Sequence, residues 1–286
     1  MIRTATESAI RLAGPGIDPA LLEKRERLAS ILGTMGRTLV AYSGGVDSAF
    51  LLAETHRVLG AGALGVIAMS ASLPEAELSQ ALEVAAARGI PVRIVETREM
   101  DLEAYRANGP DRCYHCKAEL FLVLGRIASE ESWDSRAYGA LVDDLGDVRP
   151  GMAAADRYRV RAPLIEAGLG KLEVRRLARD IGLRVWDKPQ SACLASRIPH
   201  GTRVTEEKLY QVERGEAWLR GEFSLKVVRL RHEGSRARIE VLLGEIPRLL
   251  SDRSMSLIKD KLSGLGFGEV LIDPEGYRRP DPQPEH

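Results

Sequence analysis

The sequence is poor in aromatic residues, at 5% of its 286 residues, has three cysteines, and carries no net charge, 41 Lys+Arg standing against 41 Asp+Glu. Balanced charge argues against a nucleic-acid binder that relies on a strong global field, and the shortage of aromatics removes the stacking surfaces such a binder uses. Three cysteines cannot all pair with one another, which excludes a disulfide scaffold. No apolar run approaches the roughly 20 residues of a membrane helix, and Glu7 and Asp18 interrupt any signal-peptide core at the N-terminus. There is neither an internal repeat nor a low-complexity stretch. With 44% hydrophobic and 29% charged residues the composition is that of an ordinary globular protein. The expectation is a soluble, cytoplasmic chain with no membrane partner and no nucleic acid.

What is there is an alternation. Gly14-Pro15-Gly16 and Pro19 predict a flexible leader over 1–19, and the spacing of Leu21, Leu28, Ile31 and Leu32 predicts a helix over 20–35, ended by Gly36. A strand over 38–42 leads into a glycine turn and a helix to about 59. Strands over 64–69, 92–95 and 136–138 then alternate with helices over 74–88 and 112–128, and a further helix covers 172–181. Such a pattern predicts an α/β fold, a parallel sheet with helices on both faces, Rossmann-like, spanning 20–200. The segment 141–157, rich in Asp and Gly, reads as a surface loop. After Pro199-His200-Gly201 the pattern changes. Thr205 is a good N-cap for a helix to about 220; strands over 225–231 and 236–242 flank the turn Glu233-Gly234-Ser235, and a helix over 247–262 and a strand over 269–272 complete a small α+β unit over 201–275. The tail, 276–286, holds three prolines and reads as disordered.

Ser43-Gly44-Gly45-Val46-Asp47-Ser48 falls between the first strand and its helix. Glycines there let backbone approach an anion, and the helix N-terminus offers free N–H groups and the positive end of a dipole. No Gly-Lys-Ser/Thr follows, so the turn is not a Walker loop, and its spacing is wrong for a dinucleotide fingerprint. In strand–loop–helix context the hexapeptide resembles the pyrophosphate loop of ATP pyrophosphatases. That resemblance implies an ATP site in which Ser43, Gly44, Gly45, Val46 and Ser48 hold the nucleotide and Asp47 places Mg²⁺. Ligands in open α/β sheets lie at strand C-terminal ends, which makes Met69 and Ser70 candidates for an adenine wall.

Cys113 and Cys116 are three apart at a helix start, on one face and near the positive dipole end that favours thiolate. Cys193 lies far along the chain, four residues before Arg197. Inert buried thiols, a zinc site completed by His115 or His200, and an iron–sulfur cluster with one open iron all fit this spacing. A pyrophosphate loop in the same chain favours sulfur chemistry, because an adenylated carbon is an electrophile that sulfur can displace.

Taken together, Ser43 to Ser48, Pro110-Asp111-Arg112-Cys113-Tyr114-His115-Cys116-Lys117, the stretch from Asp143 to Gly151, and Lys188-Pro189 through Cys193-Leu194-Ala195-Ser196-Arg197-Ile198-Pro199 resemble the LarE family. Those enzymes are sulfur insertases that build the nickel-pincer cofactor of lactate racemase. The resemblance implies an ATP-dependent, AMP-forming sulfurtransferase acting on pyridinium-3,5-biscarboxylic acid mononucleotide. It also implies sulfur carried by a [4Fe-4S] cluster on Cys113, Cys116 and Cys193, or donated by Cys193 itself, and a homo-oligomer, a hexamer by analogy. Arg229 and Arg231, i,i+2 on a predicted strand, match the family's Val-Arg-x-Arg and are expected to grip the substrate phosphate, with Ser196 and Arg197 as further candidates. Asp143, Asp144 and Asp147 read equally as a solvated loop or as helpers of Mg²⁺. The family usually has Asn where this chain has Leu141. The rival readings are a tRNA thiolase with a pyrophosphate loop and a nucleotide-binding module without chemistry.

Overall fold

The computed structural model describes residues 18–146, 150–189 and 192–278. The leader expected before residue 18, Asp147 and the end of the tail lie outside them.

Asp18 caps the first helix, α1 (Pro19–Gly33), its carboxylate accepting from the Ala20 N–H, with Pro19 at the first helical position. Strand β1 (Thr38–Ala41) follows, then α2 (Val46–Leu59), β2 (Ala63–Met69), α3 (Glu75–Ala86), β3 (Val92–Glu96), α4 (Arg112–Glu130) and β4 (Ser135–Tyr138). The four strands form one parallel sheet in the order β3-β2-β1-β4. Every residue of β1 is buried, as expected for a central parallel strand covered on both faces. Its side chains alternate between two cores. Val40 joins Leu28, Phe50, Ile67 and Leu177, whereas Leu39 and Ala41 join Val66, Phe121 and Leu124. The chain runs outward from β1 to β2 and β3, then returns through α4 to place β4 on the other side of β1. That reversal makes the C-terminal ends of β1 and β4 the switch point at which open α/β sheets bind ligands.

The segment expected to be a surface loop over 141–157 instead contains a 3₁₀ turn, Val142–Gly146, and a helix, α5 (Pro150–Arg157). Ala154 and Ala155 pack α5 against α4, which supplies the apolar contact that an Asp- and Gly-rich reading missed. Leu141 is in the main core. Helix α6 (Lys171–Asp180) lies on the α1 and α2 side.

The second sheet is smaller. Thr205 caps α7 (Glu206–Phe223), its side chain accepting from the Lys208 N–H at 3.2 Å. Strand β5 (Val228–Glu233) pairs antiparallel with β6 (Arg236–Val241), and β7 (Glu269–Ile272) adds parallel to β6. β5 starts later than its apolar run; Leu225, ahead of it, joins the core beneath α7. The helix expected over 247–262 is broken. A turn at Ile246–Leu249 ends, and Ser251 caps a new helix, α8 (Asp252–Ser263). Tyr105, Leu194, Ala195 and Ile198 join the core of this sheet, so the cysteine-bearing turn is packed between both sheets. Among the described residues no helix is long and apolar enough to cross a membrane.

Candidate active site

A cavity of about 470 Å³ opens at the switch point. Ala41, Tyr42 and Ser43 line it from the end of β1, Tyr138, Gly139 and Ala140 from the end of β4, and Cys113, Cys116 and Cys193 from segments distant in sequence. The glycine turn and all three cysteines therefore share one space.

The turn organises itself. Ser48 Oγ accepts from the Ser43 N–H at 3.2 Å, lies 3.1 Å from Ser43 Oγ and donates to the Gly45 carbonyl. Gly44 has φ +74°, open to glycine at little cost, and an added Cβ there would lie 2.7 Å from Ala81 Cβ. Helix α2 begins at Gly45 without a side-chain cap, which leaves its first N–H groups to a ligand. From the other wall, Gly139 approaches so closely that a Cβ would sit 2.8 Å from the Ser48 nitrogen. Tyr42 ties the strand end to α3 by donating to the Ala81 carbonyl at 2.9 Å. Lys188 Nζ bonds Glu77 at 2.6 Å and the Gly44 carbonyl at 3.2 Å, so the stretch leading to Cys193 is fastened to the turn.

The cysteines are brought together by buried staples. Arg112, at the head of α4, donates to Asn108 Oδ1 and to the Ala195 carbonyl, and Asn108 in turn donates to the carbonyls of Pro199 and Thr202 at 2.8 Å. The Leu194 N–H donates to the Ser72 carbonyl at 2.9 Å. All three thiols are free, Cys113 exposed and the other two half-buried. Burial of the Cys116 sulfur pushes its thiol up to about 12, with Lys117 pulling weakly the other way. Burial also pushes Tyr138 up to about 12.

Other expected site residues fall elsewhere. Ser70 lines the cavity, but Met69 is 38% exposed outside its lining, and Val46 is a core residue beneath the turn. Asp47 and Asp144 line the cavity; Asp144 accepts from the Leu141 N–H, whereas Asp143 accepts from the Lys171 N–H at the start of α6. Ser196 Oγ donates to the Cys193 carbonyl at 2.8 Å, a local turn bond. Arg197, 2% exposed, is committed to the protein: it grips Glu216 with two nitrogens and donates to the carbonyls of Ala192 and Cys193. Arg231 is held by both oxygens of Glu240 at 2.8–2.9 Å and donates to the Ser196 carbonyl. Arg229 lies over the Tyr277 ring and, with Arg197, Arg214 and Arg220, lines a second cavity of about 840 Å³. The two strand arginines thus do not converge on one space. Lys117 and Lys188, both inside quoted motifs, are cavity and fastening residues that the motif residues' charge would have flagged; Glu99, also in the lining, has no local signal.

No protein-family model matches the chain. It is 40% identical over 258 residues to the uncharacterized protein slr1717 of Synechocystis sp., covering 90% of this chain and 96% of that one. It is 25% identical over 245 residues to the uncharacterized protein MJ0830 of Methanocaldococcus jannaschii, covering 85% and 91%. A third relative, 32% identical over 261 residues and covering 90% of this chain and 93% of its own length, is the pyridinium-3,5-bisthiocarboxylic acid mononucleotide synthase of Lactiplantibacillus plantarum. Near-full-length identity at that level, in a chain whose glycine turn and cysteines line one cavity, decides the matter: this chain belongs to the LarE-like family of sulfurtransferases.

Proposed function

We propose that the enzyme uses ATP to adenylate a carboxylate of pyridinium-3,5-biscarboxylic acid mononucleotide and then exchanges AMP for sulfur, yielding the thiocarboxylate used in the nickel-pincer nucleotide. The observation that carries this reading is one cavity lined both by the glycine turn at the start of α2 and by three free thiols. In the first step a carboxylate oxygen attacks the α-phosphorus and pyrophosphate leaves. In the second, a sulfur nucleophile attacks the acyl carbon, the bond from that carbon to the AMP oxygen breaks, and AMP departs. Ser43, Ser48 and the open N–H groups at the start of α2 hold the pyrophosphate.

Asp47 and Asp144, two carboxylates lining the same cavity as the turn, suit Mg²⁺, which would neutralise phosphate charge. Cys113, Cys116 and Cys193 fit a [4Fe-4S] cluster by donor type and number. Among the described residues no three His, Cys, Asp or Glu side chains are drawn tightly enough for a single metal ion, and a four-iron cluster spreads its ligands more widely. Held there, the cluster would supply sulfide at its open iron. Cys193 as its own sulfur donor is the alternative supply.

The test is an anaerobic reaction with ATP and the mononucleotide, following pyrophosphate, AMP and the product mass. Ser43→Ala and Asp47→Ala are expected to abolish AMP release. Each Cys→Ala variant is expected to keep pyrophosphate release, the mark of adenylation, and to lose the thiocarboxylate together with the AMP that sulfur displaces; full thiocarboxylate yield from all three variants overturns the reading. Loss of one H₂S from the protein mass after reaction, in iron-free enzyme, assigns the sulfur to Cys193 instead of the cluster.

A further inference from the structure

Among the charged groups in the cavity lining, Glu99 has no part in the scheme above. It opens the turn Glu99–Asp101 after β3 and is 2% exposed. One carboxylate oxygen reaches Ser72 Oγ only at 3.5 Å, the outer limit of a hydrogen bond. The other, Oε2, is buried and meets no hydrogen-bond donor among the described residues. Nor does any described Lys, Arg or His form an ion pair with Glu99. A buried carboxylate left in this condition is costly, and a folded chain keeps one where a ligand completes it.

Position narrows the ligand. Ser72, whose hydroxyl lies 3.5 Å from the Glu99 carboxylate, accepts at its carbonyl from the Leu194 N–H at 2.9 Å, next to Cys193, so Glu99 sits at the cysteine end of the cavity. On the sulfur-transfer reading, on which this inference rests, the ring that receives sulfur lies at that same end. That ring is a quaternary pyridinium. It keeps its positive charge at every pH and has no N–H to donate, so it is recognised by an anion or by stacked aromatic faces. Among the described residues this cavity's lining offers two tyrosines and no tryptophan or phenylalanine.

We infer that Glu99 is the counter-ion of the substrate's pyridinium ring and selects a cationic ring over a neutral one of the same shape. Lys117, in the same lining, is the cation available to the ring carboxylates. Glu99 therefore acts on binding specificity, and the adenylation and sulfur steps use other groups.

Calorimetric titration of the parent, Glu99→Gln and Glu99→Asp proteins tests this with three probes. These are the pyridinium mononucleotide, its neutral analogue in which carbon replaces the ring nitrogen, and ATP. The parent is expected to prefer the cationic ring by about tenfold or more, the size of one charge-assisted contact. Glu99→Gln is expected to lose that preference while binding the neutral analogue and ATP as the parent does, and Glu99→Asp to retain it. If Glu99→Gln binds the pyridinium as tightly as the parent, the inference fails and the sulfur-transfer reading stands. Weakened ATP binding alone would make Glu99 an adenine acceptor, and equal loss of all three probes would make it structural; either overturns the counter-ion. A parent that binds ATP but not the mononucleotide overturns both this inference and the reading beneath it.

Discussion

Arg197→Met is expected to loosen the Cys193 turn rather than to remove a phosphate contact. Arg197 and Glu216 have side chains 2% and 5% exposed, with Nε and Oε1 2.8 Å apart, so solvent screens the pair little. Truncating Arg197 leaves the buried Glu216 with only the more distant Arg220, at 3.9 Å, and the Leu230 N–H to meet its charge, at a cost of about 3–5 kcal/mol for a broken buried pair. At about 2–4 °C per kcal/mol for a domain of roughly 150–250 residues, the melting temperature falls by about 6–20 °C. The carbonyls of Ala192 and Cys193 lose their shared donor in the same step. Pairing the change with Glu216→Gln removes the buried charge while keeping an acceptor for the Leu230 N–H, now 3.0 Å from Glu216 Oε1, and is expected to recover at least half of the loss. Urea and thermal melts of the three variants measure the cycle, alongside mononucleotide affinity. A single variant that melts within about 1 kcal/mol of the parent yet binds the mononucleotide tenfold more weakly refutes the argument and returns Arg197 to the phosphate.

Two further outcomes are expected. Gly139→Ala drives a Cβ to within 2.8 Å of the Ser48 nitrogen and 3.0 Å of the Asp47 carbonyl carbon, backbone that cannot swing aside; overpacking of this kind costs about 1–3 kcal/mol, and titration should find ATP binding weakened, whereas an unchanged ATP affinity separates the turn from the nucleotide. A thiol held up near 12 is the reactive thiolate in only about one molecule in ten thousand at pH 8. In iron-free protein, mass-resolved iodoacetamide labelling should therefore reach exposed Cys113 long before Cys116, with Cys116 labelling rising about tenfold per pH unit as pH climbs toward that value; equal labelling at pH 8 contradicts the burial argument.

Much of the first sheet was readable because its signals are local. A central strand buried on both faces, such as Thr38–Ala41, is a short apolar run, and each glycine turn after it is marked by residue type. The elements misread are those where local and tertiary signals disagree. Pro150-Gly151 and the preceding acids read as loop, yet Ala154 and Ala155 find α4 and make a helix. One helical period seemed to run through Leu250, but Ser251 takes the Ser254 N–H and restarts the helix.

The site divides along the same line. The hexapeptide Ser43 to Ser48 was legible as a strand-to-helix turn because backbone conformation follows from nearby residues. That Cys193 joins Cys113 and Cys116 depends on Arg112 and Asn108 reaching carbonyls more than eighty residues away, which no spacing encodes. Arginines were the hardest to place, and the register of the second sheet says why. Alternation does put Arg229 and Arg231 on one face of β5, but pairing sets Arg229 opposite Glu240 and Arg231 opposite Arg238 on that same face. Arg231 and Arg238 then share Glu240, and Arg238 reaches Asp273 as well, so charges that look available along one strand are neutralised across the next. Glu99 is the converse. It has nothing in its local sequence to mark it, and it stands out only when the fold buries its carboxylate and leaves Oε2 without a hydrogen-bond donor among the described residues.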